Sequence, residues 1–233
     1  MGSITGLPGY RTAVDYTSRR VRKSSQGVNY LEGGVVIDAT RSGDAGNTGY
    51  VDVLRPGKIM CKRSSGGKYR NFIIGKSTVA SASADTTITV AAATATEVAR
   101  LITATGAAVT ILLIGPPSAA GTVAATSLSI SAASSTTLTI ASSGTVGVNK
   151  VTDSLIAVAD AVSGSYCLVD DDDFIKVTDE LGTRTDQLFA RPLIGGNLDT
   201  SQILDWPADT STVTYLKGLL SSTGGQSSFR FDE

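Results

Sequence analysis

Residues 77–165 constrain the fold more than any other feature. The stretch carries only 2 basic and 4 acidic side chains and is otherwise dominated by Ala, Ser, Thr and Val. β-branched residues lose side-chain freedom in a helix and suit the pleated, half-buried surface of a sheet. Thr86-Thr87-Ile88-Thr89-Val90 alternates as a strand should, and Leu128-Ser129-Ile130 and Leu138-Thr139-Ile140 alternate again and suggest a hairpin. Residues 109–114 are a strand stopped by Gly115-Pro116-Pro117. Two short helices are predicted among these strands. In 94–103, Thr94 stands as the cap, Glu97 completes a capping box, and Val98, Leu101 and Ile102 form an apolar stripe. In 152–162, Leu155, Ile156, Ala159 and Val162 share one helical face. Together these elements read as a small α+β domain, inserted at 77–165.

The flanks differ in pattern. Residues 1–33 have no hydrophobic period and contain Arg19-Arg20-Val21-Arg22-Lys23, so they read as an extended N-terminal arm able to lie on a neighbour. Val35-Val36-Ile37 begins a strand region with a polar loop at 40–49. Val51, Val53 and Leu54 continue to the turn Pro56-Gly57, and Lys58-Ile59-Met60-Cys61 leads to the hairpin tip Ser64-Ser65-Gly66-Gly67. Tyr166-Cys167-Leu168-Val169 is a strand running into four consecutive aspartates, with Phe174-Ile175-Lys176-Val177 as its hairpin partner. Residues 191–196 read as a loop. The β-rich core is therefore assigned to 34–76 and 166–233. The fold class is mainly β, α+β overall: a small sandwich or barrel-like core, an Ala/Ser/Thr-rich insert and an arm.

Charge separates along the chain. Residues 1–76 carry 13 basic and 5 acidic side chains, a net of +8, whereas 166–233 carry 5 and 12, a net of -7. This polarity predicts either head-to-tail contacts between copies or neutralisation of the two ends within one subunit. The whole chain has a net charge of -1, which argues against a globally basic nucleic-acid binder. No apolar run approaches the roughly 18 residues of a membrane span, and the N-terminus has no apolar segment of the kind that directs export.

Reactive chemistry finds little support. The chain has no histidine, which removes the usual general base and the Ser-His and Cys-His pairs. The only cysteines, Cys61 and Cys167, are too few for a four-sulfur cage and are expected as buried free thiols. The aspartates at 170–173 lack the spacing of a calcium loop and read as a solvated turn tip. No catalytic, metal or cofactor site is assigned. Arg11, Tyr16, Arg19, Arg20, Arg22 and Lys23 are the candidate partner-binding residues of the arm. Trp206, the only tryptophan, and Tyr215 are candidates for a subunit interface.

Residues 50–76 bring a resemblance. The positions Leu54, Arg55, Gly57, Ile59, Met60, Lys62, Gly67, Lys68 and Tyr69 resemble a stretch of the lambda-type head decoration proteins of tailed bacteriophages. The resemblance implies a non-enzymatic virion protein on the outer face of the capsid, whose partners are the major capsid protein and copies of itself in a homotrimer. It implies no nucleic-acid or membrane partner. It also implies an N-terminal arm that adds to the sheets of capsid subunits. The chain departs from the family in the insert at 77–165 and in the tail after 199. The competing expectation is a head-fibre or adhesion module for host surface glycans. The insert argues against that, having no Trp, Tyr or Phe for sugar stacking.

Overall fold

The computed structural model describes residues 21–23, 27–116, 124–141, 144–170, 174–221 and 228–231. It is mainly β. The first strands in chain order are β1 (Asn29–Tyr30), β2 (Val35–Ile37), β3 (Val53–Leu54), β4 (Ile59–Arg63), β5 (Tyr69–Asn71), β6 (Ile73–Lys76) and β7 (Thr87–Thr89). Helix α1 (Ala92–Thr105) follows, then β8 (Val109–Gly115), β9 (Ala124–Ser134), β10 (Thr137–Ile140), β11 (Leu155–Val158) and β12 (Ala161–Leu168). The chain continues through β13 (Ile175–Lys176), β14 (Gln187–Phe189), β15 (Leu193–Leu198), α2 (Thr210–Leu220) and β16 (Ser228–Phe231).

Two sheets carry the fold. The larger has the order β1-β15-β12-β4-β5-β2-β14, with β16 parallel to β15. The smaller has the order β6-β11-β8-β9-β10-β7, and β13 pairs with β3 apart from both. The period of two along a strand divides the larger sheet between two cores. Ile59, Cys61, Tyr166 and Leu168 face the main core. Met60, Cys167 and Val169 face a second core with Ile37, Leu54, Tyr69, Val177 and Phe189. The main core runs without a break into the smaller sheet, through Phe72 to Ile111, Leu113, Ile130 and Leu138, and is covered by Val98 and Leu101 of α1. The two sheets therefore share one interior.

The pairing register sets Cys61 opposite Tyr166 and Met60 opposite Cys167. The two cysteines thus belong to different cores, and both are buried free thiols. Burial pushes the Cys61 thiol up to about 12 and the Cys167 thiol well above its ordinary value.

Several local expectations are corrected. Residues 152–162 are not a helix. They supply β11 and the start of β12, because β11 lies between β6 and β8 with all four residues buried. A strand covered on both faces is a continuous apolar run, which mimics a short helical stripe. The capping box fails too. α1 starts two residues earlier, its N-cap is Ala91 with no side-chain cap, and Thr94 and Glu97 are both buried. Residues 174–177 pair with β3 and not with 166–169. Residues 191–196 are largely β15 and not a loop. The glycines there give room to flanking strands, since a Cβ at Gly195 would collide with Ser228 and press on Asn29. Nor is the arm loose at residues 21–23. Asp199 N–H donates to the Val21 carbonyl at 2.8 Å, Lys23 N–H to the Asn197 carbonyl at 3.0 Å, and Val21 is fully buried.

Candidate interaction surface

Arg11, Tyr16, Arg19 and Arg20 lie outside the described residues. Arg22 is engaged within its own chain, its Nε 2.8 Å from the Asp170 carboxylate. The Tyr30 hydroxyl donates to the same carboxylate at 2.5 Å, and Arg191 sits 4.6 Å over the Tyr30 ring. Burial first, then the Asp170 hydrogen bond, raises the Tyr30 phenol above its ordinary pKa. Asp170 is buried, so the first of the four aspartates is a dock for the basic segment and not a solvated turn tip. Asp171, Asp172 and Asp173 lie outside the described residues. Lys23 is exposed, and its backbone N–H pairs with the Asn197 carbonyl beside this dock.

Ion pairs also join the basic and acidic ends within the one chain, as Arg22 does with Asp170 and Lys68 with Asp186. The two aromatic candidates are likewise used in their own subunit. Trp206 stacks on Phe231 with ring centroids 5.4 Å apart, and its carbonyl accepts from Lys76 Nζ at 2.7 Å. Tyr215 packs half-buried against the main core.

Behind the polar loop lies a network of buried charge. Arg55 grips Asp44 with two hydrogen bonds, Nε at 2.6 Å and Nη2 at 2.9 Å, and Lys58 Nζ stands 3.4 Å from the same carboxylate. Burial works to raise the Asp44 pKa, but the Arg55 hydrogen bond and the Lys58 charge outweigh it, and the net direction is down. Asp38 shows the same balance: burial raises its pKa, while the Thr40 hydroxyl, Arg41 and Arg63 lower it by more. Glu97 accepts the Ala45 N–H at 2.7 Å and pairs with Arg100. Arg184 donates to the carbonyls of Ala39 and Ser42, both at 2.6 Å, and pairs with Asp52. These groups pin the loop at 40–49 against α1, and Asp44, Arg55, Lys58 and Glu97 among them wall a cleft of about 260 Å³. Bidentate pairing of this kind fixes geometry. The network is a clamp between distant segments.

The residues of the sequence resemblance belong to this framework. Leu54, Met60 and Tyr69 fill the second core, Arg55 grips Asp44, and Lys68 pairs with Asp186. Gly57 adopts φ +86°, and a Cβ there would run into the Gln202 carbonyl. No family model matches this chain, and no curated protein or solved structure matches it.

The free end of the larger sheet is its most distinctive surface. β14 is the last strand there. Asp38 N–H donates to the Tyr69 carbonyl on the β5 side, so the N–H and C=O of Ile37 face β14 and pair with Gln187. Alternation then turns the N–H and C=O of Leu188 away from the sheet. The Leu188 side chain is 68% exposed, and Val36, directly opposite it, is 42% exposed. Leu181, in the turn before β14, is 91% exposed. Tyr50 and Val51 are exposed beside Asp52, which joins this end through Val177 and Arg184. Leu188 and Val36 thus form an exposed apolar cross-strand pair at this edge. Sequence reasoning missed this surface. Gln187-Leu188-Phe189 is short, and only the tertiary pairing with β2 decides which edge stays open.

Proposed function

We propose that this chain is a structural virion protein that binds the outer face of a tailed-phage capsid and bridges neighbouring capsid subunits. The observation that carries the reading is the β14 edge, where outward backbone groups of Leu188 stand beside the exposed Leu188–Val36 pair. Unprotected edge strands invite pairing with another chain, and strand addition gives affinity through main-chain hydrogen bonds. β14 carries no Lys or Pro to blunt it. The same sheet has at its centre the segment that resembles decoration proteins, with β4 and β5 forming the antiparallel hairpin.

The mechanism is mechanical. Covering Leu188 contributes about 1.5–3 kcal/mol, and neighbouring apolar side chains add to it. Such a contact is modest alone. Copies arrayed over a shell add through effective concentration, which raises the work needed to pull subunits apart. The major capsid protein is the proposed partner at this edge, with further copies of the chain, as a homotrimer, completing the bridge. Electron microscopy of particles made with and without the protein tests the proposal. Added density on the shell exterior is expected. Density confined to the tail, or none on the particle, overturns the reading.

A further inference from the structure

We infer that a groove beside Trp206 binds a saccharide, an activity that goes beyond capsid bridging and uses a different face. The groove measures about 460 Å³ and is lined by Lys76, Thr200, Ser201, Asp205, Trp206 and Pro207, among others. It lies between the end of β6, which supplies Lys76, and the segment 200–207.

Its walls are held in place. Phe231 of β16 stacks on one side of the Trp206 ring, and the Lys76 ammonium fixes the Trp206 carbonyl at 2.7 Å. The turn Thr200–Gln202 is capped by Asp199, whose carboxylate accepts from Ser201 N–H at 3.0 Å and from the Ser201 hydroxyl at 2.7 Å. A site whose groups are already ordered loses less on binding. Asp205 adopts φ +60°, a left-handed conformation uncommon outside glycine, as does Asp153 at φ +61°. Both line the cleft of about 260 Å³ that shares Lys76's and Asp205's side of the molecule with the groove, so the two spaces adjoin.

The chemistry of the walls selects the ligand class. A tryptophan ring presents a broad apolar body, which suits the C–H face of a pyranose. The hydroxyl of Thr200 donates and accepts, the Asp205 carboxylate accepts, and the Lys76 ammonium donates, which matches the mixed character of sugar hydroxyls. One cation and one anion leave the groove without net charge, so it does not favour a phosphate or a polyanion. Its width to solvent and polar rim do not suit an apolar ligand, which prefers an enclosed pocket. A neutral saccharide meets every wall.

Trp206 is the only tryptophan, so intrinsic fluorescence reports this groove alone. The test titrates the full-length protein with methyl glycosides of glucose, galactose, mannose, rhamnose and N-acetylglucosamine at millimolar concentration, with saturation-transfer NMR in parallel. At least one probe is expected to give saturable binding in either readout. Asp205→Asn and Thr200→Val are each expected to weaken it about tenfold or more while circular dichroism stays unchanged. No binding of any probe by both readouts overturns the inference, as does binding that neither substitution weakens. Capsid co-sedimentation of Asp205→Asn is expected to match wild type. Its loss would place the groove in the capsid contact and overturn the saccharide assignment without touching the bridging proposal.

Discussion

The two sheets meet in one core but are specified differently. In the smaller sheet β8, β9 and β10 are sequence neighbours paired antiparallel, and their inward residues are Val, Leu and Ile. In the larger sheet, apart from the β4–β5 hairpin, partners are far apart, as with Met60 opposite Cys167 or Ile37 opposite Gln187. Closing long loops costs conformational entropy before any contact forms. Ion pairs collect where that closure occurs, with Arg22 on Asp170, Arg70 on Asp160 and Lys68 on Asp186. Local pairing needs only alternation. Distant pairing in the larger sheet is accompanied by ion pairs between the segments it joins.

The largest effects should come from the joint between the sheets and from the clamp. Phe72 stands between β5 and β6 and meets Tyr166 edge to face at 4.9 Å. Phe72→Ala is expected to cost about 3–5 kcal/mol in denaturant unfolding, in a single transition. Two separate transitions would break the claim of one shared interior. Asp44→Ala leaves Lys58 buried and Arg55 half-buried without their shared carboxylate and is expected to cost about 3 kcal/mol in the same assay. A loss below about 0.5 kcal/mol, as for an ordinary surface change, would show that the larger sheet does not depend on its charges.

The clamp also predicts a pH dependence with a definite sign. Asp38 and Asp44 have folded pKa values below their unfolded ones. Their contribution is therefore complete above about pH 4 and is lost as pH falls through the depressed folded values. Unfolding midpoints should drop in that acid range, and Asp44→Asn should flatten the drop. A wild-type midpoint constant from pH 5 to about pH 2 would contradict the directions of both shifts.

A smaller effect concerns the thiols, one facing each core. Burial keeps both protonated, so neither Cys61 nor Cys167 should react with an aromatic disulfide reagent until the protein unfolds. Rapid labelling of Cys167 alone in native buffer would separate the second core from the main one. The smallest effect distinguishes the helices. Asp209 caps α2, accepting the Thr212 N–H at 2.6 Å, whereas α1 has no side-chain cap. Asp209→Ala should cost about 0.5–2 kcal/mol by thermal unfolding. Thr94→Ser, at the residue read from sequence as the cap of α1, should leave α1 in place by circular dichroism.

Legibility in the sequence followed the same division. β2, the β4–β5 hairpin, β7, β8 and the β9–β10 hairpin are readable because each is a local apolar run or alternation. β11 was misread because a strand buried on both faces has no polar alternation, and β15 because its paired glycines resemble a turn. α2 left a usable signal in Asp209 followed by Leu216 and Leu220, which share a face at i,i+4 spacing. The parallel pairing of β16 and the open edge at β14 leave none, since both depend on pairing with strands distant in sequence. Of the candidate residues, Arg22 reads from sequence as part of a partner-binding arm and Trp206 as part of a subunit interface. Their contacts are internal, because the acidic partner and the aromatic partner come from the C-terminal third of the same chain.

Bridging through the β14 edge is tested most directly by co-sedimentation with expanded capsids of the phage that encodes the protein. Wild type is expected to pellet with the capsids. Leu188→Asp is expected to stay in the supernatant while keeping the wild-type unfolding midpoint, because its side chain lies in solvent in the isolated subunit. Wild-type protein left in the supernatant, or Leu188→Asp pelleting as fully as wild type, would contradict the account.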